Sequence, residues 1–365
     1  MRWVWEGLVA FEHRGTGTNQ ERAAADWLRS SLEARGYATR LQRFRAPASW
    51  GPEVLAISLA LGLGGLFGWV WLAALGFYGF WAYFSGWPRP WQGLFARTRS
   101  QNVLAEAGEG PRTLVLMAHY DTAKTYWTYD PKRVRGFRAT FLLNAALAAL
   151  AVPAAWRGGL VGGVLGVYFL AQAGLLGWRE LTAPYVNGAN DNASGVAVVT
   201  ELFLDLARRP PAGWRVVLAL TGAEETGAAG AEALCRSGEL PEDAWILNVD
   251  NVGAGGLHYA TGEGMLAYYP YRGALVEAAG RIPGARPVAY RLAYFDTLPC
   301  ARRGRTVLTL VRLEGGVPPN WHWPSDRPEA VDWAAVEATY GFARRVLNEV
   351  LPSNGGGNGA GEGLG

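Results

Sequence analysis

Five short stretches of the chain collect histidines and carboxylates, and each follows a strand-like run. His119 and Asp121 close LVLMAHYDT. That spacing suits an imidazole that binds a metal through one nitrogen while a second carboxylate holds the other. A strand-end histidine is by itself more often structural. Asp191 lies in NGANDNASGVAVV, a tight polar loop that opens a helix, where Asp191 or Asn192 alone reads as an N-cap. Glu224 and Glu225 follow a strand in ALTGAEETGAAGAEAL. Adjacent side chains there suit different roles, one toward a metal and one toward a proton; two neighbouring acids otherwise mark a solvated loop. Asp250 ends the apolar run AWILNVDNVG, and His322 precedes a helix in PPNWHWPSDRPEAVDW, with Asp326 nearby. As a set, two histidines with carboxylates suit zinc, which takes imidazole and carboxylate alike. Two zinc ions need a shared carboxylate, and a water between them becomes a strong nucleophile near neutral pH. A remaining glutamate can take its proton and pass it to the leaving group.

The elements that must position these residues are those of an α/β sheet. RTLVLMA (112–118), WRVVLALT (214–221), AWILNV (244–249) and TVLTLVR (306–312) read as buried strands. Helical stretches at 194–207 and 330–347 lie among them, and alternation of this kind argues one central sheet. Ligands at several strand ends converge on the crevice of such a sheet. Near the N-terminus, Thr18 to Glu21 has the form of a capping box. Ala24, Trp27, Leu28 and Leu32 then recur on one helical face, Gly36 is a stop, and TRLQRF alternates like a strand.

Composition separates a second kind of segment. Half of the 365 residues are apolar and 18% are charged, which excludes general disorder, and a net charge of +3 is too small for a nucleic-acid stripe. Residues 54–88 carry no charge, and residues 139–178 carry only Arg157, which splits them into 18 and 21 uncharged residues. Those halves span roughly 27 and 31 Å as helices, close to a bilayer core of about 30 Å, and predict a transmembrane hairpin. Long buried helices of a soluble core are the alternative, although such helices usually keep a polar face. Phe44 and Gln101 flank the first segment and belong to the soluble pattern, so it must cross an even number of times. It is too short for two full spans, which predicts a bent hairpin broken near Gly62–Gly68, or a re-entrant segment. No cleavable signal peptide is expected. The expected division is residues 1–50, 93–136 and 181–351 for the catalytic domain, 51–92 and 137–180 for membrane insertions, and 352–365 for a disordered tail.

The five motifs, in this order, resemble those of metallopeptidase family 28, the co-catalytic di-zinc aminopeptidases of clan MH, over the soluble chain from about residue 10 to 350. The resemblance implies a zinc exopeptidase fold, a mostly parallel mixed sheet flanked by helices. It implies a membrane-anchored exopeptidase, an aminopeptidase acting on peptides through two zinc ions and the hydroxide they hold. His119 and Asp250 would ligate one zinc, Glu225 and His322 the other, and Asp191 both. Glu224 would be the general base and Asp121 would orient His119. FDTLPCARRG resembles the family's pocket segment, with Asp296 at its usual acidic residue and Thr297 where a histidine is common. The family has a short loop between the positions of His119 and Asp191; here that stretch houses the second apolar segment.

Other readings have weaker support. A related activity, carboxypeptidase or glutaminyl cyclase, belongs to the same clan, but a cyclase usually works with one zinc. A scaffold that has lost catalysis would usually have lost a ligand or the base. A transporter would place charge in its spans. His13 and His258 read as surface or core packing, and Ser194 lacks a nucleophile elbow's flanking glycines. Cys235, on a predicted helix, reads as buried packing, and two cysteines, Cys235 and Cys300, cannot form a disulfide framework or a cysteine-rich zinc knuckle. Arg302, Arg303 and Arg305 read as a site for an acidic group or as a solvated, headgroup-facing cluster. Basic residues gather on the catalytic side of the apolar segments, among them Lys132, Arg133, Arg135, Arg89 and Arg97. This predicts an integral membrane protein in contact with lipid, its catalytic domain on the cytoplasmic face.

Overall fold

A computed structural model of the chain describes residues 1–352. Of the expected tail, everything after residue 352 lies outside the described residues. Nine strands form one sheet: β1 (Thr39–Ala46), β2 (Thr98–Ala107), β3 (Arg112–His119), β4 (Trp214–Thr221), β5 (Trp245–Asp250), β6 (Gly256–Glu263), β7 (Tyr269–Pro270), β8 (Arg286–Tyr290) and β9 (Thr306–Leu313). Their spatial order is β1-β2-β4-β3-β5-β9-β6-β7, with β8 beside β6. The four central strands β4, β3, β5 and β9 run parallel, and antiparallel pairs flank them. The expected buried runs are these central strands, apolar on both faces because helices cover both.

The helices are α1 (Arg2–Val9), α2 (Asn19–Glu33), α3 (Gly51–Phe67), α4 (Val70–Phe84), α5 (Gln92–Phe95) and α6 (Phe137–Arg157). They continue with α7 (Gly159–Thr182), α8 (Gly195–Arg208), α9 (Ala229–Arg236), α10 (Ala274–Arg281), α11 (Leu298–Ala301) and α12 (Trp333–Val350). Helices α2, α8 and α12 bury their apolar stripes, with residues such as Leu28, Phe203 and Phe342, in one core against the sheet. Residues of α9 and α11, including Leu234 and Cys300, pack in a second core. The Thr18 cap forms as expected: its side chain accepts from Glu21 N at 3.1 Å, while the Glu21 carboxylate accepts from Gly17 N at 2.5 Å. Cys235 is buried but is not simple packing. It forms a disulfide with Cys300, Cα atoms 5.8 Å apart, and so ties α9 to α11. Arg302 and Arg303 pair with Glu232, and Arg305 donates to the carbonyls of Cys235 and Leu240. These arginines therefore brace α9 and α11 and do not form a free anion cluster.

The apolar segments leave and rejoin the sheet at paired strands. β1 pairs with β2 so that Phe44 faces Ser100 and Ala46 faces Thr98, which returns α3 and α4 to the place they left. Lys124 similarly bridges to Tyr185 around α6 and α7. The first segment breaks at Gly68, whose φ of 70° is the left-handed conformation that glycine adopts without a Cβ penalty. The second breaks at Gly158, next to Arg157. Helices α3 and α7 pack on glycines: a Cβ at Gly166 would lie 2.6 Å from Leu66 N, and one at Gly65 would lie 2.9 Å from Gly162 O. Small residues permit this close backbone approach. Two helical stretches, Val134–Arg157 and Gly159–Thr182, are long and apolar enough to cross a membrane. Every exposed large hydrophobic side chain among the described residues falls within 59–94 or 127–181.

Candidate active site

The carboxyl ends of the parallel strands carry the site. His119 is the last residue of β3 and Asp250 the last of β5; Glu224 and Glu225 follow β4 after Gly222 and Ala223. Asp191 sits in the turn before α8, where the Asp191–Asn192 peptide is cis. The capping role falls to Asn192, whose side-chain oxygen accepts from Gly195 N at 2.9 Å. Asp191 is thereby left free to face the crevice. His322 comes from the loop after β9 at a φ of 49°, a left-handed geometry uncommon for a residue with a side chain.

These side chains converge on Asp191. One of its oxygens lies 3.2 Å from His119 Nε2 and the other 3.2 Å from His322 Nε2. Asp250 lies 3.5 Å from His119 Nε2, and Glu225 lies 2.9 Å from His322 Nε2. The set therefore divides into two groups that share one carboxylate. Glu224 approaches His119 at 3.9 Å without joining either group closely. The Asp121 carboxylate accepts from the backbone N–H of Glu224 at 2.9 Å and of Glu225 at 3.3 Å, and from the Thr16 hydroxyl at 3.0 Å. Its carboxylate is 3.6 Å from His119 Nδ1, whereas its own backbone carbonyl is nearer, at 3.2 Å. Asp121 thus sets the position of the glutamate pair as well as meeting the histidine.

Electrostatics leave the cluster short of positive charge. Burial pushes Glu224 well above the usual carboxyl range, with Glu225 adding to it against the pull of His119. Burial likewise raises Glu225 and Asp250. Burial works in the same direction on Asp191, but the two imidazoles overcome it and hold that carboxyl below its ordinary value. Burial disfavours charge on His119 and His322 too, yet the surrounding carboxylates, Glu224 for the first and Glu225 for the second, carry both well above the usual imidazole value. Glu225 Oε1 is buried and accepts no hydrogen bond, and Asp191 Oδ2 has only His322 Nε2 beside it, at 3.2 Å and out of hydrogen-bond geometry. Single atoms of His119, Asp191 and Glu225 lie within 4.8 Å of one another. Acceptors that converge without donors are what divalent cations bind, and mixed imidazole and carboxylate donors fit zinc.

Three buried groups beside the site had little signal in the sequence. Arg14 is fully buried and donates to the carbonyls of Leu8, Tyr120, Asn187 and Gly188; burial lowers it to about 10. Glu21 is raised to about 8 by burial and by Asp121. Asp326 accepts from the N–H groups of Asn190 and Asp191, which fixes the turn carrying Asp191, and burial raises it to about 7. Only the capping pattern at Glu21 and the proximity of Asp326 to His322 were visible beforehand. Asp296 is 1% exposed, accepts from the Thr221 hydroxyl at 2.5 Å and is pushed to about 7 by burial. Thr297 turns inward and donates to Glu263 at 2.8 Å, a buried carboxyl that burial raises to about 7. Tyr290 and Tyr294, from the same region, line the cavity above the acids. Tyr129 meets the His322 ring edge-on, centroids 4.6 Å apart. His13 stacks on Tyr185, and the His258 ring approaches the Gly256 carbonyl; neither approaches the acids.

A mixed sheet with this arrangement at its carboxyl edge defines the class of zinc-exopeptidase folds. The sequence model of Peptidase family M28 matches residues 102–347, and the chain belongs to that family. No curated protein sequence matches the chain. Among solved structures, the zinc aminopeptidase BSAP from Bacillus subtilis superposes with a TM-score of 0.59 at 13% identity, over 97% of this chain and 96% of that one. Porphyromonas gingivalis glutaminyl cyclase gives 0.56 at 17% identity, over 95% and 96%. A Zn-dependent exopeptidase from Parabacteroides distasonis gives 0.57 at 13%, over 94% and 95%. At these identities the likeness is one of fold. Family membership makes the chain a peptidase-type hydrolase with a peptide substrate.

Proposed function

We propose that the protein is a membrane-anchored aminopeptidase working with two zinc ions. The observation that carries this reading is the division of the site about Asp191. His119 and Asp250 would hold one zinc, His322 and Glu225 the other, and Asp191 both. When bound, zinc supplies Lewis acidity, polarising the substrate carbonyl and lowering the pKa of water. Glu224 accepts the proton from the attacking water and delivers it to the leaving amine, which balances the hydrolysis. Asp121 fixes the backbone of Glu224 and Glu225 and the ring of His119. Asp296, expected in the substrate pocket, is buried behind the cavity lining and supports the end of β4 through Thr221. Helices α3, α4, α6 and α7 anchor the catalytic unit in lipid, with residues 1–50, 93–136 and 181–351 outside the bilayer. The burial of polar groups at the junction supports that arrangement: Arg89 pairs with Glu53 at 2.5 Å, and Arg179 donates to the Lys124 carbonyl at 2.8 Å. The basic residues beside the helices favour the cytoplasmic face, whereas the Cys235–Cys300 disulfide favours an oxidising compartment; we place the domain on the cytoplasmic face, and a topology test decides between the two signals.

The test uses full-length protein in detergent with leucine p-nitroanilide and its N-acetylated form. Zinc-dependent cleavage of the free amine alone is expected. Cleavage of C-terminal residues, or cyclisation of an N-terminal glutamine without hydrolysis, would instead favour the clan's other activities. For topology, a reporter fused after Leu351 should be active only when it is of the cytoplasmic type. Digestion of the domain by protease added to intact cells would overturn that placement.

A further inference from the structure

A cavity of about 670 Å³ begins at the acids and continues into the apolar helices. Asp191, Glu224, Glu225, Asp250 and His322 form its inner end. Beyond them the wall becomes aromatic, with Tyr129, Phe137, Phe141 and Trp321. It then passes between α6, which contributes Thr140 and Asn144, and α7, which contributes Tyr168, Ala171, Gln172 and Leu175. Thr140, Tyr168, Ala171 and Leu175 are exposed, so this outer part is an open cleft between two helices. It follows α7 for about two turns, or roughly 10 Å. Two of its polar groups pair across it, the Tyr168 hydroxyl donating to Asn144 at 3.1 Å, and the Gln172 amide donates to the Ser58 hydroxyl of α3 at 3.0 Å. Arg133 and Gly227 are exposed on the opposite rim, so the same cavity also opens beside the catalytic unit.

The volume lies in the range of pockets that enclose a whole small ligand, about 300–1,000 Å³, and exceeds what one amino-terminal side chain fills. Apolar walls leave polar groups of a substrate without hydrogen-bond partners, whereas a peptide already in lipid gives up no hydration when its apolar groups enter, so such walls favour apolar residues over polar ones. The cleft's open side lies on the helices proposed above to sit in lipid. From this we infer that the site takes apolar peptides lying in the bilayer, admitted laterally between α6 and α7 so that the large apolar residues after the scissile bond occupy the cleft. The inference rests on the membrane-anchored peptidase reading and names its substrate class. The cleft is formed by the inserted helices themselves, so it gives those helices a role beyond anchoring.

The experiment reads binding and not turnover. Full-length zinc-loaded protein carrying Glu224→Gln is placed in phosphatidylcholine nanodiscs with the peptide Leu-Phe-Leu-Leu, its third residue replaced by a diazirine leucine. Irradiation should label residues 140–144 and 168–175. Ala171→Trp, which fills the cleft, should lower labelling about tenfold. Ala149→Trp, the same change on an exposed position of α6 away from the cavity, should not. Labelling spread over the outer faces of α3 and α4, or indifferent to Ala171→Trp, overturns the inference. So does equal labelling of the cleft by a diazirine phosphatidylcholine, which would mark a lipid groove. Failure of the wild-type protein to cleave leucine p-nitroanilide would count against the peptidase reading and would leave this labelling result standing.

Discussion

The acid cluster and the helix bundle beside it are held by opposite means. Around Asp191 the backbone is fixed by directed hydrogen bonds: Asp326 holds the turn, Asp121 holds the glutamate pair, and Arg14 ties four carbonyls together. Between α3 and α7 shape does the same work, with Gly62, Gly65, Gly162 and Gly166 letting backbones touch. The first region concentrates charge that only a cation would relieve. The second presents exposed apolar surface of the kind that marks an interaction face. Damage to the two regions should therefore differ in kind, abolishing chemistry in one and loosening architecture in the other.

The largest effect is expected at the glutamates. Glu224→Gln should retain zinc and lose turnover by about 10²–10⁴, the range for a positioned acid–base group. Glu225→Gln should instead lose metal. Turnover of leucine p-nitroanilide measured together with elemental analysis separates the two, and exchanged phenotypes would reverse their assignment. A smaller effect, on stability, is expected in the bundle. Gly166→Leu inserts a side chain against Leu66 N, and overpacking of this kind costs about 1–3 kcal/mol. Thermal unfolding in detergent should show the loss, while the domain's zinc content stays unchanged. An undiminished melting temperature would show that the α3–α7 contact does not bear on stability.

The smallest effect concerns pH. Burial raises Glu263 to about 7 in the folded protein, above its ordinary value near 4.5. A carboxyl raised on folding favours the folded state at low pH, and that contribution is lost as pH rises from about 5 through 7. Glu263→Gln should reduce the slope of the stability–pH curve, as read by denaturant unfolding at pH 5 and pH 8, and leave the share of Glu21, Asp296 and Asp326. The same slope in both proteins would show that Glu263 does not contribute to it.

The strands were legible because four apolar runs in one chain allow few arrangements, and five of the expected site positions, His119, Asp121, Glu224, Glu225 and Asp250, fall at or just beyond strand ends, where parallel sheets gather side chains. Thr18 and Gly68 were legible because capping and chain reversal need particular residue types. Arg14 was not, since one arginine in a polar stretch looks the same whether solvated or buried among carbonyls. The Cys235–Cys300 bridge spans 65 residues, a separation that no local pattern encodes. The resemblance places Asp296 in a pocket segment, whereas Asp296 is 1% exposed and its carboxylate accepts from Thr221, and the hydroxyl of Thr297 beside it turns to Glu263 inside the fold. Local pattern identified the elements and the acids; the buried partners that hold the acids came from distant parts of the chain.

The central claim is that one carboxylate organises two metal positions, and zinc stoichiometry tests it most directly. Full-length protein purified without added metal should carry close to two equivalents of zinc, and Asp191→Ala should weaken both sites together. A wild-type protein that holds one equivalent or less after reconstitution with excess zinc would contradict the account.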